Sequence, residues 1–202
     1  MINSLTRFRS SIKETKNLTA IYDYLTENVR APVEVGDLLR SKVVYAVSAL
    51  DKLMHDLIRI GMVEIYEGKR AATPKYNNEP IKISIVHQLL ENDTAMAASA
   101  FDQAVAEKLK ILSFQDPDKI ADGLSFIWAE KQKWQKISHV LEGDEDEIKK
   151  TLKLIVSRRN SIVHESDYNP VTGEKNSISR QEAVDIINLI EKIGVAVVGL
   201  VK

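Results

Sequence analysis

The residues best equipped for chemistry lie in Arg158-Arg159-Asn160-Ser161-Ile162-Val163-His164-Glu165, which follows the run EIKKTLKLIVS. Histidine moves protons near neutral pH. Arginine can hold a phosphate through two parallel hydrogen bonds. Asparagine can orient a phosphate or the histidine. On an RNA substrate the 2′-hydroxyl is an internal nucleophile. Its attack on the adjacent phosphorus leaves a 2′,3′-cyclic phosphate and a free 5′-hydroxyl, and in principle needs no metal. The spacing by itself is weak, because nine arginines and four histidines make such a pair common by chance.

The stretch must be positioned by a helix. At 100° per residue, with Arg159 at zero, Ile148, Leu152 and Ile155 fall at about −20°, +20° and −40°. Ile162 and Val163 fall at about −60° and +40°. Arg159 therefore sits on an apolar stripe and needs an acidic partner, water or a pocket. Asn160 and His164, at about 100° and 140°, share an adjoining face. An ideal helix would thus point Arg159 and His164 roughly 140° apart. Either fraying near SIVHESD or a second copy of the helix across a two-fold axis would bring them to one cleft.

The surrounding pattern is helical, with apolar residues recurring at three and four. A first helix is expected over 3–27, ended near Pro32, and a long one over about 35–69 that continues through Gly61. After the linker GKRAATPKYNNEP, helices are expected over 81–91 and 93–112, then a turn at SFQDPDKI and a single helix over about 120–141. Phe126, Trp128 and Trp134 in that helix read as packing residues before base-stacking ones. The acids of EGDEDE suit the start of the helix that ends near His164. Ser179 and Glu182 form a capping-box pattern before the last helix. That helix ends in IGVAVVGLV, which must lie in the core or at a subunit contact, and whose nine residues are too few to span a bilayer.

The 202 residues suit one all-α domain, with approximately 70–142 as a candidate helical insertion. A formal net charge of −1 excludes a uniformly basic surface and leaves room for a local patch. Positions 149–159 contain no acid, so Lys149, Lys150, Lys153 and Arg158 are candidate RNA contacts or an ordinary solvated face. Cysteine is absent, which removes disulfides and thiolate metal sites and makes a cytoplasmic protein the simplest reading. The start MINSLTRFRSS lacks the apolar core of a secretory signal. The four histidines form no short metal cluster, and no Walker loop or dinucleotide-binding glycine pattern is present, so no metal or cofactor is expected.

Arg159-Asn160-Ser161-Ile162-Val163-His164 resembles the arginine–polar–xxx–histidine signature of the HEPN superfamily, with four residues between arginine and histidine. The phrase RSKVVYAVSALDKLMHDLIRIG, from Arg40 to Gly61, resembles the early long helix of its RiboL-PSP-HEPN branch. The resemblance implies a helical bundle, a homodimer with one cleft built from both subunits, and a metal-independent endoribonuclease of toxin–antitoxin or antiphage systems. Other members are inactive or serve as scaffolds, so a catalytically silent interaction module is the alternative. By resemblance Arg159 holds the phosphate, His164 is the acid/base residue and Asn160 orients the group attacked. Arg158 is an auxiliary RNA contact, and Asp51 and His55, one turn apart, support the cleft or are ordinary helix residues. The implied partners are RNA, a second copy and an antitoxin or other defence-system protein, with no membrane association.

Overall fold

The computed structural model describes residues 1–29, 35–91 and 93–201. The break expected at Pro32 lies outside them. Among these residues the secondary structure is helical, apart from an isolated antiparallel bridge between Tyr168 and Lys175. The helices are α1 (Ile2–Asn28), α2 (Gly36–Tyr66), α3 (Pro74–Asn77), α4 (Ile83–Glu91), α5 (Thr94–Leu109), α6 (Pro117–Leu124), α7 (Lys133–Val140), α8 (Glu145–Glu165) and α9 (Arg180–Val201).

The long helix α2 is the axis of the bundle. Its apolar series repeats at three and four from Leu39 to Ile65, so a wide stripe is sealed against α1, α5, α6, α8 and α9. Each fully buried side chain such as Leu50 or Leu57 contributes roughly 1.5–3 kcal/mol by leaving water. Gly61 does not interrupt α2. A Cβ there would lie 2.6 Å from Ile127, so the missing side chain admits the segment after α6. The apolar end of α9 is resolved in favour of the core: Ile193, Val197, Val198 and Val201 are all buried, and Gly194 lets Phe8 of α1 approach.

The single helix expected over 120–141 is instead two helices, α6 and α7, separated by 125–132. The cause is tertiary. Thr73 donates its hydroxyl to the carbonyls of Ser125 and Phe126 at 2.8 and 3.0 Å, and Arg70 donates to the Ile127 carbonyl at 3.3 Å. The linker thus occupies acceptors that a continuing helix would use. Thr73 also caps α3, with Pro74 in its first turn. SFQDPDKI is less a free turn than a helix start: Asp116 caps α6 through the Asp118 N–H at 2.8 Å, and Pro117 follows it.

The middle helices join the same core. Phe101, Phe114, Leu124, Trp134 and Ile137 are buried in one cluster with α2, α8 and α9. Trp134 donates its indole N–H to the Pro117 carbonyl at 2.8 Å, and Lys133 lies over the Trp128 ring. These aromatics are packing residues.

Candidate active site at the end of α8

α8 starts where its chemistry dictates. Asp144 accepts from the Glu147 N–H at 2.9 Å, and Glu145, Asp146 and Glu147 occupy the first turn, where the dipole favours acid. Ile148, Leu152 and Ile155 anchor the helix to the core. It remains helical through His164 and stops at Ser166 and Asp167, both left-handed with φ of 52° and 62°. No fraying turns His164 inward. The angle of about 140° between the Arg159 and His164 positions therefore stands within one chain.

The chain beyond α8 is clamped. Asp167, fully buried, accepts from Arg40 Nε and Arg158 Nη2, each at 2.8 Å. Arg40 also donates to the Asn176 carbonyl and to Asp37, and Arg158 to the Ser177 carbonyl. Burial works most strongly against the Arg40 charge, yet Asp167 and Asp37 together outweigh it and raise its pKa. Arg158 is thus committed to the fold, with its side chain 22% exposed.

Arg159 differs. It is half-buried and its Nη1 donates to Asn160 Oδ1 at 3.0 Å; its buried Nε, like that of Arg158, has no hydrogen-bond partner among the described residues. No carboxylate among those residues pairs with it. The acidic partner its apolar setting called for is absent there.

Asn160 and the exposed His164 line a groove of about 390 Å³ together with Lys153, Ser157 and Glu165 of α8. The opposite wall carries Asp116 from the start of α6. Lys149 and Lys153, at about 80° and 120° on the wheel, extend the Asn160–His164 stripe toward the helix start. Lys150 is exposed beside them, Lys149 reaches Glu145 at 3.5 Å, and Lys153 pairs with Asp118 at 2.8 Å. That hydrogen bond is the main cause of the lowered Asp118 pKa and the raised Lys153 pKa.

Asp51 and His55 do not line the groove. Asp51 accepts from the Phe114 N–H at 2.6 Å and from Gln115 at 3.4 Å. The His55 ring packs edge-on against Phe114, 4.8 Å between centroids. The pair thereby holds the segment that delivers Asp116, and neither residue pairs with Arg159 among the described residues. Asp116 escaped the sequence reading because Asp-Pro reads locally as a turn signal. Among the described residues, no group of three or more His, Asp or Glu side chains is placed to hold a metal ion.

An all-helical bundle ending a late helix in Arg-Asn-xxx-His defines the class of protein. The RiboL-PSP-HEPN family model matches residues 9–202, and the chain belongs to that family within the HEPN superfamily. No curated protein and no solved structure gives a significant match. Among the described residues no helix is long and apolar enough to cross a membrane.

Proposed function

We propose that this protein is a metal-independent endoribonuclease of toxin or antiphage type, acting through a cleft shared by two copies. The observation that carries the reading is the contrast between neighbouring arginines. Arg40 and Arg158 are tied to Asp167, while Arg159 has no carboxylate partner among the described residues and lies beside Asn160. An uncommitted guanidinium held at a helix surface is suited to a phosphate. His164 is exposed and carries the proton-transfer role, and Asn160 orients the phosphate or the base.

The separation of Arg159 and His164 around α8 makes a second copy part of the proposal. Val163, between them on the wheel and 46% exposed, is an apolar residue that such a copy would cover. Lys149, Lys150 and Lys153 are the RNA contacts along the stripe, with Arg158 contributing only its open edge. Asp51 and His55 support the cleft through the Phe114 segment. In the same reading, residues 70–142 are an insertion whose part in the site is to deliver Asp116. An antitoxin or other defence protein is the partner that would cover the cleft.

One feature favours a catalytically silent scaffold: Asp116 and Glu165 put two carboxylates in the groove that holds His164. Product analysis separates the readings. Purified dimer should cut RNA in EDTA and leave 2′,3′-cyclic phosphate and 5′-hydroxyl ends. Products with 3′-hydroxyl and 5′-phosphate ends would rule out attack by the 2′-hydroxyl. Intact RNA after incubation with folded dimer, across varied sequences, would support the scaffold.

A further inference from the structure

A second cavity, of about 350 Å³, opens beside α8 where α2 begins. Val44 and Tyr45 of α2 and Ile162 of α8 give it an apolar side. Asp37, Ser41 and Lys175 also line it, and both Asp37 carboxylate oxygens accept from Lys175 Nζ at 3.0 Å. The Lys175 hydrogen bond is the main cause of the lowered Asp37 pKa, so the wall is pinned while Asp37 is ionised. Ile162 follows Arg159 by three positions, which makes them neighbours on the helix surface. The cavity therefore begins one turn from the uncommitted guanidinium.

Tyr45 is unlike most of the aromatics. Tyr66 and Tyr76 pack against Phe101, and Phe126 and Trp134 are buried. Tyr45 is 56% exposed, and among the described residues its ring and hydroxyl make no contact of the kinds those side chains make. Tyr24 and Tyr168 are also exposed, but neither lines this cavity. A flat ring open to solvent, in a cavity whose lining combines aliphatic and hydrogen-bonding side chains, fits a face and the polar edge of a nucleobase.

We propose that this cavity binds one unpaired nucleobase, stacked on Tyr45, of the same RNA strand whose phosphate Arg159 holds. The inference rests on the nuclease reading and adds that the substrate is single-stranded at this point, because a base inside a duplex has both faces stacked and its Watson–Crick edge paired. The site explains how a protein of nearly neutral charge would hold RNA: stacking supplies affinity that does not depend on a basic surface.

The test uses the full chain with short 2′-O-methyl oligoadenylate, which lacks the attacking hydroxyl, and an abasic ribose-phosphate strand of the same length. Binding is read by fluorescence anisotropy and oligomeric state by sedimentation. Wild type should prefer oligoadenylate over the abasic strand. Tyr45→Ala should weaken oligoadenylate binding by about tenfold and leave the abasic strand unchanged, so that the preference disappears. Tyr45→Phe and Tyr45→Trp should bind within about twofold of wild type, since either ring stacks. Tyr24→Ala should change nothing. If Tyr45→Ala binds like wild type while Arg159→Ala binds weakly, the base pocket is wrong and the nuclease reading survives. If Tyr45→Phe fails as Ala does, the hydroxyl and not the ring is used, and stacking is overturned. Dissociation of the dimer by Tyr45→Ala would assign the cavity to a contact between copies instead. Wild type that binds neither strand would remove both the pocket and the reading beneath it.

Discussion

Asp167 is closed to water and receives two guanidinium groups, so its removal takes away the carboxylate they share and leaves Arg40 to Asp37 and Arg158 to backbone carbonyls. Asp167→Ala should cost about 3–5 kcal/mol in urea denaturation. Arg158→Ala should also lower stability, whereas Lys150→Ala, at an exposed position, should leave it within about 0.5 kcal/mol of wild type. An Arg158→Ala protein as stable as wild type would show that Arg40 and the Asn176 amide satisfy the carboxylate without it. The catalytic assignments predict a different pattern. His164→Ala should lower cleavage by about 10²–10⁴-fold with helicity and dimer mass unchanged. Arg159→Ala should lower it by about a hundredfold or more, and Asn160→Ala by less than either. Full activity in folded His164→Ala would sink the mechanism even if the protein proved to be a ribonuclease.

Between elements, α1 and α2 meet around an unusual group. Lys42 is fully buried and donates to the Thr19 hydroxyl. Burial is the largest cause of its lowered pKa; Arg180 adds to the effect and Asp23 opposes it. The unfolded chain then holds the proton more tightly than the folded one. Stability contributed through this residue should therefore rise with pH, between the lowered folded value and the ordinary lysine value of about 10.4. Lys42→Met should remove that rise and stabilise the protein at neutral pH by about 1 kcal/mol. Denaturation midpoints measured across the alkaline range check both, and a mutant with the wild-type slope would contradict the assignment. α2 offers a second test. Alanine favours a helix over glycine by about 1 kcal/mol, yet Gly61→Ala would drive a methyl into Ile127. Overpacking of about 1–3 kcal/mol should win, and thermal melting should show a loss.

For the whole molecule, the composite cleft requires association. Sedimentation equilibrium should find a dimer at assay concentrations, and a strict monomer, with or without RNA, would remove the shared-site proposal. RNA affinity should fall with salt, because the contacts proposed for Lys149, Lys150, Lys153 and Arg159 would displace counterions from the strand. The slope should be modest, since Lys153 already pairs with Asp118 and the molecule carries nearly equal numbers of acids and bases. Asp118→Asn should free Lys153 and tighten binding at low salt, a change that anisotropy titrations would register.

Local sequence determined what depends on neighbours along one helix. The three–four periodicity of α2, the acids at the start of α8, the Ser179 cap of α9 and the bundle class are all legible without coordinates, because helical geometry fixes which near neighbours share a face. The same geometry carried the splay of Arg159 and His164. Tertiary structure decided what depends on distant partners. Arg40 and Asp167 are 127 positions apart, and Arg158 meets Asp167, nine positions on, only because the chain turns out of the helix at Ser166, so helical spacing did not announce that its charge was already claimed. Phe126 and Trp134 offered the same aromatic chemistry as Tyr45, and burial alone separated packing rings from an open one. α6 and α7 part because Thr73 and Arg70 take carbonyls from a segment more than fifty positions away. Side-chain type sets which bonds a residue can make, and only packing sets which of them are still available to a substrate.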